Sequence, residues 1–125
     1  MAKVLVADDL PLIRELASLA LAEQGHTIIE ATNGDEAWRL LLEHRPDVAL
    51  LDLRMPGPDG LELARRIRSH PDLAGTRVIL LTGSGESDVG DAARAAGISQ
   101  TVVKPFGIVA LRDAVQRALQ NGEAA

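Results

Sequence analysis

The sequence predicts an α/β fold in which a parallel sheet is covered by helices on both faces, and three observations carry that prediction. Short β-rich apolar runs alternate five times with stretches of helical period. The run Val48 to Leu51 has no polar interruption, as in a strand buried on both faces. Turn residues stand between the strand runs and the helices that follow them, as crossover connections require.

Lys3 to Ala7 reads as a strand ending on paired acids, Asp8-Asp9, with Pro11 following where the first turn of a helix tolerates it. Leu12, Ile13, Leu16, Ala17 and Ala20 recur at helical spacing, and Gly25 stands where a left-handed cap would stop the helix. Thr27 to Ala31 is a second, β-branched strand, and Asn33-Gly34 turns the chain into a helix carrying Ala37, Trp38, Leu41 and Leu42. Pro46-Asp47 breaks that helix. The central strand then ends on Asp52, and the next eight residues hold two prolines and two glycines, so the chain leaves the sheet abruptly. A helix bearing Leu61, Ala64 and Ile67 closes at Pro71, and Arg77 to Thr82 is a further buried strand ending on a hydroxyl before Gly83-Ser84-Gly85. The helix from about Asp88 to Ala96 has only Val89 and alanines on its apolar side and contains Gly90, so it is expected among the first elements to shift. Thr101 to Val103 makes the fifth strand, ending in Lys104-Pro105, and Ile108, Leu111, Ala114, Val115, Ala118 and Leu119 form the stripe of a last helix. Right-handed crossovers through five such units give a (βα)5, flavodoxin-like, doubly wound parallel sheet of order 2-1-3-4-5. Residues 1–125 read as a single domain, with 121–125 as a frayed tail.

Composition narrows the function. The 125 residues are 46% hydrophobic and 25% charged, ordinary for a folded soluble domain. Cysteine is absent, which removes disulfides, thiolate metal sites and cysteine nucleophiles and fits a reducing cytoplasm. The opening apolar run is too short for a signal peptide or a membrane span, so a cytoplasmic location without membrane insertion is expected. A net charge of -5 without a basic run argues against direct nucleic-acid binding, and two aromatics, Trp38 and Phe106, offer no stacking platform. Arg65, Arg66 and Arg68 recur at helical spacing and read as a solvated face.

Chemistry is expected at one edge. Four of the five strands end in a reactive group: Asp8 and Asp9, Asp52, Thr82 and Lys104. In a parallel sheet these ends share the carboxyl edge, where such folds build their sites. Each group has a plain structural role open to it, as cap, turn or solvated strand end; their coincidence does not. Crowded carboxylates repel, and a divalent cation relieves them; all-oxygen donors without His or Cys point to Mg2+. A cation, a carboxylate, an ammonium and a hydroxyl together suit phosphoryl handling, with Asp52 as nucleophile and Gly83 leaving room and backbone N–H for phosphoryl oxygens.

With Asp8-Asp9, the stretch Leu51-Asp-Leu-Arg-Met-Pro-Gly-Pro-Asp-Gly60, Thr82-Gly83 and Lys104-Pro105-Phe106 in this order, the whole chain resembles the response-regulator receiver domain of two-component signalling, of the chemotaxis-regulator type. The resemblance implies transfer of a phosphoryl group from a phosphohistidine, on a histidine kinase or a histidine phosphotransfer protein, to Asp52. It implies Mg2+ held by Asp9, Asp52 and the backbone carbonyl of Arg54, with Asp8 acting through coordinated water, and Thr82 and Lys104 on the phosphoryl oxygens. It also implies a cis peptide before Pro105 and hydrolysis tuned at Arg54 and Ser84. The switch would run through Thr82 and the fourth helix, fifth strand and last helix to a downstream output protein. Where many members carry an aromatic switch residue this chain has Thr101, so the aromatic form of the switch is not available. Such a domain promotes its own phosphorylation and dephosphorylation but is a signalling switch, not an enzyme.

Other readings fare less well. A haloacid-dehalogenase-type phosphatase would carry a second acid where Arg54 stands. A flavodoxin would need a hydroxyl-rich phosphate loop and aromatics in place of the acids. A degenerate receiver used for docking, or a receiver cut from a longer DNA-binding or catalytic regulator, stays open.

Overall fold

The structure, a computed structural model, describes residues 2–83, 89–98 and 100–124, the backbone alone at 89 and 121–124. The strands are β1 (Lys3–Ala7), β2 (Thr27–Ala31), β3 (Val48–Asp52), β4 (Arg77–Gly83) and β5 (Gln100–Lys104). The helices are α1 (Pro11–Ala22), α2 (Gly34–His44), α3 (Gly60–Ser69), α4 (Val89–Ala95) and α5 (Ile108–Ala124), with a 3-10 turn at Pro71–Leu73. All strand pairs are parallel and the order is β2-β1-β3-β4-β5, the expected flavodoxin-like sheet. The α5 backbone runs through 121–124, which the sequence reading assigned to a tail.

Alternation along each strand divides the core in two. Leu5, Ala49, Leu51, Val78 and Leu80 face Ala37 and Leu41 of α2, Leu63 and Ile67 of α3, and Ala93 of α4. Val4, Val6, Val48, Leu50, Ile79 and Leu81 face Ala17 and Leu21 of α1 and Leu111, Ala114, Val115 and Ala118 of α5. Every residue of β3 is buried, as its unbroken apolar run predicts for a strand covered on both faces.

Helix boundaries have local causes. Asn33 caps α2 by accepting the Glu36 N–H at 2.8 Å, and Asp59 caps α3 by accepting the Glu62 N–H at 2.9 Å. The inward face of α1 differs from expectation: Leu12 is 76% exposed and Leu16 37%, while Ala17, Ala20 and Leu21 are buried. Leu42 and Ile108, also read as inward, are exposed. Gly25 takes the left-handed conformation, φ 93°, but in the turn after α1; the helix itself ends at Ala22 on a right-handed Glu23.

Candidate functional site

The carboxyl ends of β1, β3 and β5 bring the predicted groups together. Register does this: Ala7 pairs with Leu51, Asp52 with Leu81, Thr82 with Val103 and Gly83 with Lys104, so the strands end almost level. Asp8 is fully buried, Asp52 buried and Asp9 exposed, and the three present carboxylate oxygens within 4.8 Å of one another. The Lys104 ammonium lies 2.9 Å from Oδ2 of Asp8 and 3.1 Å from Oδ1 of Asp52. The Lys104–Pro105 peptide is cis.

The two buried acids, Asp8 and Asp52, each accept a backbone N–H. Asp8 Oδ1 accepts the Leu10 N–H at 2.9 Å, which closes the turn into α1. Arg14 reaches back from α1 to donate to the Asp8 carbonyl at 2.8 Å while pairing with Glu30 at 3.1 Å. Asp52 Oδ1 accepts the Arg54 N–H at 3.3 Å.

Burial pushes the Asp52 carboxyl up to about 6, against the hydrogen bond from Lys104, and the neighbouring Asp8 charge adds to the rise. Burial also draws the Lys104 ammonium down, but its contacts with Asp8 and Asp52 outweigh this and hold its pKa above the usual lysine value. One ammonium thus stands in a cluster of three acids and touches two of them, Asp8 and Asp52. That excess of negative charge, offered entirely by hard oxygens, fits a hard divalent cation.

The loop after Asp52 is clamped to its surroundings by contacts that the sequence reading did not foresee. The Leu53 N–H donates to Leu81 at 2.9 Å, the Gly34 N–H to the Pro56 carbonyl at 2.8 Å, and Leu53 and Met55 are buried. Gly60 is needed where it stands: a Cβ there would lie 2.7 Å from the Asp52 carbonyl oxygen and 2.6 Å from Cδ1 of Leu80. Proline-glycine content announced a sharp turn; nothing local announced that the first turn of α2 would anchor it.

The remaining expected residues are spread around the edge. Thr82 is buried at the end of β4, and Gly83 is exposed beside it. Arg54 is exposed, two residues past Asp52. Thr101 is exposed on β5 outside the carboxylate cluster. Ser84 lies outside the described residues.

A doubly wound sheet with an acidic pocket and a lysine at its carboxyl edge defines a class of signalling α/β domain. The comparisons give the family: the model for the response regulator receiver domain matches residues 4–116, and the chain belongs to that family, the receivers of two-component systems. Among curated proteins it is 35% identical to sporulation initiation phosphotransferase F of Bacillus subtilis, covering 94% of this chain and 93% of the relative. It is 39% identical to regulatory protein AtoC of Escherichia coli, covering 94% of this chain but 25% of the relative. The chain therefore spans nearly all of one such relative and only part of others. Among solved structures, chemotaxis response regulator CheY4 of Vibrio cholerae superposes with a TM-score of 0.89 at 32% identity, covering 95% of this chain and 99% of the other. Among the described residues no helix is long and apolar enough to cross a membrane.

Proposed function

We propose that Asp52 is the phosphoacceptor of this receiver and takes its phosphoryl group from a phosphohistidine on a histidine kinase or phosphotransfer protein. The observation that carries the reading is the double contact of Lys104 with Asp8 and Asp52 inside the carboxylate cluster. Oδ1 of Asp52 is engaged by Lys104 and the Arg54 N–H, so Oδ2 is the oxygen for in-line attack. As the O–P bond forms the N–P bond breaks, and the imidazole leaves neutral because its other ring nitrogen already carries a proton in the phosphohistidine donor. With its pKa near 6 the acceptor is mostly ionised at pH 7, as a nucleophile must be. Lys104 neutralises charge on the transferred group, and the Thr82 hydroxyl and Gly83 backbone receive phosphoryl oxygens.

Asp8, Asp9, Asp52 and the Arg54 carbonyl would hold Mg2+, which when bound offsets the charge of the acids and of the phosphoryl group. The exposed Arg54, two residues past the acceptor, is suited to tuning hydrolysis by controlling water access, with Ser84 as the family's second tuning position. Phosphorylation then shifts the population of α4, β5 and α5 arrangements through Thr82, and an output protein reads the result there. Val103, Ile108 and Val109 leave apolar surface exposed on those elements. Thr101 requires a form of the switch without an inward-turning aromatic. This reading sets the protein in the cytoplasm.

Intact mass after incubation with acetyl phosphate and Mg2+ tests it. One phosphoryl adduct is expected in the wild type, absent in Asp52→Asn and absent without Mg2+. No adduct together with no beryllofluoride complex would overturn the phosphoacceptor role and leave a docking module.

A further inference from the structure

At the amino edge of the sheet, the far end from Asp52, α3, the start of β4 and the turn after α4 line a half-open cavity of about 250 Å3. Its floor is apolar, built from Ile67, Leu73, Val78 and Ala96, and two arginines line it, Arg68 and Arg77. Among the described residues that line it there is no acid.

Arg68 is unlike its neighbours on α3. Arg65 and Arg66 both pair with Glu62, at 3.7 and 3.3 Å, whereas Arg68 has no carboxylate partner among the described residues. Its guanidinium lies against Gly97, where a Cβ would come within 2.7 Å of Nη1 and where φ is +79°. The glycine thus serves both the turn after α4 and the approach of a cation to the cavity.

We propose that this cavity binds a small organic anion: a carboxylate, phosphonate or phosphate group carried on an apolar body of about one ring. A dry cavity of about 150 Å3 accommodates benzene, whereas drug-sized ligands need about 300 Å3 or more, so the space fits a single substituted ring. The floor takes the ring, and two guanidinium groups take the oxyanion, which Arg recognises with a planar fork of donors. A plain helix-capping role for Arg68 at the carboxyl end of α4 would not need the apolar floor.

Amide chemical shifts of the 15N-labelled protein, titrated with benzoate, phenylphosphonate or benzyl alcohol, test the proposal without involving Asp52, since none of the three can transfer a phosphoryl group. Both anions are expected to give saturable shifts at Ile67, Leu73, Val78 and Ala96 with Kd at or below about 1 mM, and the neutral alcohol to bind at least about tenfold more weakly. Arg68→Gln and Arg77→Gln should each weaken both anions by about tenfold or more. Shifts that do not saturate, that benzyl alcohol reproduces, or that survive in Arg68→Gln would overturn it. Should Arg77→Gln unfold the start of β4, Arg68→Gln, on the exposed end of α3, decides alone. A preference for phenylphosphonate over benzoate would assign the natural anion to the phosphate class, and the reverse to the carboxylates.

Discussion

The ammonium of Lys104 stands 3.1 Å from Oδ1 of Asp52 although β3 and β5 are not neighbours, with β4 between them. The contact therefore exists only when three adjacent strands are in register, and it supplies counter-charge to a buried acid. Lys104→Met leaves Asp8 and Asp52 without their cation. In metal-free buffer at pH 7 the variant is expected to lose about 3 kcal/mol, the scale for removing one partner of a buried ion pair. The loss should shrink at pH 5, where Asp52 takes up a proton instead, and urea unfolding at the two pH values checks it.

Asp52→Asn should do the opposite. The native acid has its pKa raised from 3.8 to about 6, chiefly by burial, so the folded state holds the proton more tightly than the unfolded chain. Stability contributed by this group is accordingly present at low pH and lost as pH rises from about 4 through about 6. The corresponding free energy is at most about 3 kcal/mol, with the opposing contact of Lys104 already contained in it. The variant is expected to be about 1–3 kcal/mol more stable than wild type at pH 7 without divalent cation and equal to it near pH 4. His26, whose pKa burial lowers, weakens both proteins alike on acidification and cancels in the difference. Denaturation midpoints of both proteins across this range give the measurement.

Gly60→Ala is expected to cost about 2 kcal/mol and to slow labelling of Asp52, because the new methyl meets backbone, the Asp52 carbonyl oxygen at 2.7 Å, which cannot swing aside. Gly75→Ala is the control. A Cβ at Gly75 meets nothing within 4 Å, and the change should stay within about 0.5 kcal/mol. Thermal melts and acetyl phosphate labelling of the pair separate close approach from a general effect of replacing glycine.

The sheet and its order were legible because buried strands, turn residues and helical stripes repeat on a scale that local pattern resolves. The acidic cluster was legible for a topological reason: parallel strands deliver their carboxyl ends to one edge, so Asp8, Asp9, Asp52 and Lys104 had to meet. The inward face of α1 was not. Leu10, Leu12, Leu16 and Leu19 are exposed while Ala17, Ala20 and Leu21 are buried, and a helix with apolar residues on every side has period without phase. The hold of Gly34 on Pro56 was equally hidden, since it joins segments whose proximity only the fold creates.

The level strand ends have a meaning for how the chain can be divided. Asp8, Asp9 and Asp52 precede the exposed turn at Gly75, while Thr82 and Lys104 follow it. A nick at that turn would leave the acids on one fragment and the hydroxyl and ammonium on the other, each inert by itself. Chemistry at Asp52 would return only on reunion of the halves, making the domain a two-part reporter of its own reassembly.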